Sequence, residues 1–169
     1  MRLLLTAALA FSLAAPAGAA TAPRLPITSF DQLAQPLPLP YNESANAKAA
    51  VAAARARAKK AHKLLLIDLG GNRCLDCRIL AATIEVPALK AFVDRHYEVV
   101  TVNIGRYDAN MDIPIAYGVT DKLKGGVPAL LVVDPRSGKL LDGGHISALE
   151  DARHMSPQGL ADWLAHWTH

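Results

Sequence analysis

The sequence predicts an α/β domain: a mixed central sheet flanked by helices on both faces, preceded by an extended arm and a helix. Three observations predict it. Leu64-Leu65-Leu66-Ile67-Asp68-Leu69 is a continuous apolar run of strand length, the pattern of a strand buried on both faces. Residues 97–103 (YEVVTVN) are rich in β-branched side chains, and a helical stretch separates them from the first run. Residues 127–133 form a third strand-like run. It is followed by the turn signal Pro135-Arg136-Ser137-Gly138 and by residues 139–142 as a hairpin partner. The strand–helix–strand opening implies a parallel pair, and the hairpin adds an antiparallel strand.

Each element has a local cause. Residues 1–19 combine Met1-Arg2, an apolar stretch from Leu3 to Leu13, Pro16, and small residues at Ala17-Gly18-Ala19. These are the regions of an export signal, with cleavage expected after Ala19 or Ala20. Residues 20–43 hold Pro23, Pro26, Pro36, Pro38 and Pro40, and read as an extended arm that Leu25, Ile27, Phe30 and Leu33 pin to the core. The domain proper is expected over 44–169. Residues 44–62 predict a helix capped by Ser44 or Asn46, with a stripe of small apolar residues from Ala47 to Ala61. The basic residues Arg55, Arg57, Lys59, Lys60 and Lys63 fall near its C-terminal end, where cations complement the helix dipole. A helical pattern opens at Cys74 and runs to Val93, with a break near Pro87. Residues 110–117 predict a short helix. Ser156-Pro157 supplies an N-cap and Pro at the first helical position for a last amphipathic helix carrying Leu160, Trp163, Leu164 and Trp167.

Composition excludes several classes. The chain is 51% hydrophobic and 20% charged, a balance that favours a packed core over disorder. A formal charge of +3 gives no reason to expect nucleic acid. Both cysteines lie in one C-x-x-C, Cys74 and Cys77. A bond between residues three apart closes almost no loop, so stability explains the pair badly. A structural zinc site takes two separated Cys/His pairs, and only one Cys pair exists. Two thiols one turn apart at a helix N-terminus instead form a redox couple. Free amides and the helix dipole favour a thiolate on Cys74, and Cys77 is close enough to resolve a mixed disulfide. The pair follows a buried-type strand after Gly70-Gly71-Asn72, which is a thioredoxin-like context.

On these residues, together with Gly126-Val127-Pro128 before an apolar strand and the order of elements, the chain resembles the thioredoxin superfamily over about 44–169. It is most similar to periplasmic thioredoxin-like proteins and to the C-terminal domain of the transmembrane thiol:disulfide interchange reductase. The resemblance implies a cis bond before Pro128, a substrate-docking backbone at Val127, and a Cys74–Cys77 disulfide. It also makes Asp68, inside the apolar run, a buried acid that accepts the Cys77 proton. The sequence departs from the family in four places. Arg73 replaces the usual Trp beside the first cysteine and faces substrate in its place. Leu75-Asp76 replaces Gly-Pro. Residues 121–125 and 145–155 look inserted and border the site.

The resulting expectation is an exported, periplasmic or secreted, monomeric thiol–disulfide oxidoreductase, with the reductase direction favoured. It needs no cofactor or metal beyond its own disulfide. Its partners are protein thiols and disulfides, including a membrane-bound electron donor. Two rivals remain: a copper-binding module using Cys74, Cys77 and a histidine, His145 foremost, and a non-catalytic binding domain that kept the fold.

Overall fold

In the computed structural model, which describes residues 20–143 and 145–168, the elements run α1 (Ala47–Ala61), β1 (Leu64–Gly70), α2 (Leu75–Ile84), α3 (Pro87–His96), β2 (Tyr97–Asn103), α4 (Asp112–Ala116), β3 (Ala129–Val133) and α5 (Pro157–His166). The expected export signal lies outside the described residues. The strand order is β2-β1-β3, with β1 parallel to β2 and antiparallel to β3. β1 is thus the central strand that its unbroken apolar run predicts.

The pleat sorts that run between two cores. Leu65, Ile67 and Leu69 pack with Leu131 and Val133 against the small stripe Val51, Ala54 and Ala58 of α1 and Ile113 of α4. Leu66 packs with Leu130 and Val132 against Ile79 and Leu80 of α2, Leu89 and Phe92 of α3, and Leu160 and Leu164 of α5. Asp68 has the parity of Leu66, so its carboxyl lies on the α2 side.

One expected boundary is met, and two depart from the reading of the sequence. The expected break near Pro87 is present: Pro87 opens α3 and separates it from α2. The expected hairpin partner at 139–142 shrinks to one bridge, Val133 to Leu140, flanked by bonds from Asp134 N to Lys139 O (2.9 Å) and from Leu141 N to Val132 O (2.7 Å). The arm at 20–43 carries a single 3-10 turn, Phe30–Gln32, closed by a Ser29 capping box.

The arm is fastened along its length. Ala20 N donates to Thr168 O (2.8 Å) and Gln158 Nε2 donates to Pro23 O (3.1 Å). Leu33 and Tyr41 are buried. Further along, Arg78 of α2 donates from its guanidinium to the carbonyls of Leu37 (2.8 Å) and Pro38 (3.1 Å). Thr168 lines a cleft with Leu64, the first residue of β1, so the arm starts at the end of the sheet opposite Gly70 and finishes beside it. Part of the basic cluster on α1 is tied to neighbours: Arg57 pairs with Glu98 (2.6 Å), and Arg55 donates to Pro135 O (2.8 Å).

Candidate active site

The site forms where β1 ends and α2 begins. Gly70-Gly71-Asn72-Arg73 turns the chain so that Cys74 is the N-cap of α2. Its Sγ accepts a hydrogen bond from Cys77 N (3.1 Å), so a free amide and the positive end of the helix face the position of a thiolate. Cys74 and Cys77 are joined as a disulfide, their Cα atoms 5.3 Å apart. Their exposures differ. Cys74 is half-buried and Cys77 is fully buried, which suits an attacking and a resolving sulfur respectively.

Opposite Cys74 stands the loop before β3. The Val127–Pro128 bond is cis, and the Val127 carbonyl oxygen lies 3.4 Å from Cys74 Sγ. Gly126 precedes it at φ 130°, a conformation that disfavours any residue with a Cβ. A side chain there would also press on Glu150 Cβ, 3.2 Å away. Ser147 Oγ donates to either Lys122 O (3.1 Å) or Gly126 O (3.3 Å), so residues 145–155 buttress this loop.

A thioredoxin-like family profile matches residues 46–135. The chain belongs to the thioredoxin-like family. In three dimensions it also matches a disulphide isomerase from Xylella fastidiosa Temecula1, with 38% identity, a TM-score of 0.69, and coverage of 76% of this chain and 96% of that one. No curated protein matches the chain in sequence.

Asp68 lies near the end of β1, on the α2 side of the sheet. It is 3% exposed, and burial pushes its carboxyl up to about 7 although a hydrogen bond from Tyr41 pulls the other way. That bond, from Tyr41 Oη to Asp68 Oδ1, is 2.8 Å long. Tyr41 comes from the proline-rich arm, and reading the sequence missed it. A tyrosine just beyond Pro40 carries no periodic or motif signal, and only the folded path of the arm brings it beneath α2. Burial first, and the Asp68 charge second, raise its phenol far above the usual range, so it stays protonated.

The two charges flanking the cysteines separate. Arg73 is exposed and lines a cleft of about 430 Å³ with Glu43, Asn103 and Arg106. Asp76 instead turns inward and is 5% exposed. Arg153 holds it through its backbone N (2.8 Å) and its guanidinium (2.5–3.1 Å). Burial alone would raise Asp76, but these bonds and the Arg153 charge outweigh it and hold the carboxyl below its ordinary value. Asp76 therefore does not confront Cys74 as a bare charge. Arg153 lies in the expected insertion at 145–155, which now has a defined role as the clamp on the C-x-x-C turn. Sequence reading placed that segment at the border of the site but did not single out Arg153.

His145 packs near Trp167, with ring centroids 6.5 Å apart, and lines a different cleft with Trp163 and His166. Among the described residues no group of three His, Cys, Asp or Glu side chains is arranged to hold a metal, and His145 does not join the cysteines.

Proposed function

We propose that this chain is an exported thiol–disulfide oxidoreductase that reduces protein disulfides. The observation that carries the reading is the asymmetry of the sulfur pair. Cys74 is accessible, faces the cis-Pro128 loop and receives an amide hydrogen bond, whereas Cys77 is buried on the same side of the sheet as Asp68. In the reducing direction the Cys74 thiolate attacks a client disulfide. One client sulfur leaves as a thiolate and a mixed disulfide forms. Cys77 then attacks Cys74 Sγ, its proton passes to the Asp68 side, and the second client sulfur is released. The Val127 backbone docks the client beside Cys74, and exposed Arg73 contacts it. The chain acts as a monomer with no cofactor beyond its own disulfide, and a membrane-bound donor restores the dithiol. The leader pattern at 1–19 supports a periplasmic location. The N-terminus of protein recovered from the periplasm of an expressing bacterium is expected at Ala20 or Thr21.

The test is insulin reduction by the reduced chain, with Cys77→Ser as the trap. That variant should accumulate a mixed disulfide on Cys74 and turn over no further. Absence of both activity and trapped adduct would sink the reading. A second reading, isomerase, is favoured by the 38% identity to a disulphide isomerase. The reduction potential of the Cys74–Cys77 pair separates the two: about −270 mV supports a reductant and about −180 mV an isomerase.

A further inference from the structure

The environment of Asp68 contains a group that the mechanism above does not use. Asp68 enters no ion pair among the described residues. Its register neighbours are Thr101 on β2 and Leu130 on β3. The arm contributes Tyr41, its hydrogen-bond donor. Gly70 explains how the phenol fits. A Cβ at Gly70 would stand 2.7 Å from Tyr41 Cζ and 2.8 Å from Cys77 Sγ. The absent side chain leaves room for the phenol and the resolving sulfur to flank one point, while the phenol bonds the acid.

The arm is clamped here as well. Tyr41 N donates to Asn72 Oδ1 (3.0 Å), and Asn72 Nδ2 donates back to Tyr41 O (2.8 Å). Asn72 belongs to the turn that delivers Cys74. Thr101 Oγ1 donates to Pro40 O (2.9 Å). Tyr41 is thus fixed from β2 and from the cysteine turn together.

We propose that Tyr41 is a positioning residue for the resolving step: its phenol holds the Asp68 carboxylate ready for the Cys77 proton, which makes the N-terminal arm part of the redox machinery. The inference rests on the thiol–disulfide reading above. The step balances. Cys77 loses its proton to Asp68 and its sulfur attacks Cys74 Sγ. The Cys74–Cys77 bond forms, the bond to the client sulfur breaks, and the client leaves as a thiolate. Two chain thiols are oxidised and one client disulfide is reduced. The Tyr41 hydrogen bond favours the ionised acid, so without it more of Asp68 is already protonated and unable to accept.

The reduced chain with excess dithiobis-nitrobenzoate reads the two sulfurs separately. Attack by Cys74 releases one coloured thiolate, and resolution by Cys77 releases the second. Tyr41→Phe keeps the ring and removes the hydroxyl. Its second phase should be roughly fivefold slower at pH 7, with its pH midpoint moved up by about one unit. The first phase should keep the parent's midpoint. Asp68→Asn should abolish the pH midpoint of the second phase. Asn72→Ala, which loosens Tyr41 without altering it, should move the midpoint in the same direction by less, and serves where Tyr41→Phe does not fold. If Asp68→Asn alters the second phase but Tyr41→Phe and Asn72→Ala leave it unmoved at every pH, the inference is overturned and the activity reading stands. A parent chain that reduces no protein disulfide overturns the activity reading, and this inference with it.

Discussion

Arg153 holds the buried Asp76 carboxylate between the two cysteines, and its effect is testable. In Arg153→Ala the buried Asp76 carboxylate loses its partner two residues from Cys74 and becomes an uncompensated negative charge there. The Cys74 thiol should then titrate about one unit higher, followed by ultraviolet thiolate absorbance. The urea midpoint of the oxidised chain should fall as well, because a buried charge has been stripped of its pair. An unchanged titration would mean that Asp76 is screened from the sulfur by something other than Arg153. Arg153 and Tyr41 were not legible in the sequence, since each reaches the site across many intervening residues and neither stands in a pattern. Cys74 and Cys77 were legible as a pair because their spacing and their helix-opening context are local properties, and Asp68 as an acid embedded in an apolar run.

At the scale of elements, the strands and helices follow their sequence patterns closely. β2 spans the expected residues, α1 starts from Asn46, whose side chain accepts from Ala49 N, and Ser156 caps α5. Strand propensity, capping and periodicity act over a few residues, so a single sequence reveals them. The arm is different. Its prolines announce extension, but not the surface it follows. Arg78 is central to that path, since its guanidinium donates to two consecutive arm carbonyls. Arg78→Ala should cost about 2 kcal/mol in urea unfolding, the order expected for lost charged hydrogen bonds. It should also expose residues 20–43 to limited proteolysis while α2 stays folded. A protease-resistant arm in that variant would shift the weight to the Asn72 clamp.

For the whole molecule, burial of carboxyl groups shapes stability against pH. Asp68 and Asp142 are both pushed up by burial, to about 7 and about 6. Folded chain binds protons more tightly at these groups than unfolded chain does. Their contribution is therefore fully present below the unfolded carboxylate value near 4 and is lost as pH rises through the folded values. Stability of the oxidised chain should fall between about pH 4 and 7, with Asp68 accounting for roughly 4 kcal/mol. Asp68→Asn should flatten this slope and be more stable than the parent at pH 8, measured by urea unfolding across pH. A slope that survives in Asp68→Asn would assign the effect to Asp142. The buried acid is a stability cost, and the redox site is where it falls.

The pairing of Ala20 with Thr168 has a consequence for presentation. Both ends of the described chain meet beside Leu64, at the pole opposite the cysteines. Anything attached to either end, whether a membrane tether or a second domain, hangs from the back of the molecule. The sulfur-bearing face is left uncovered by such an attachment, as the proposed exchange with protein disulfides requires.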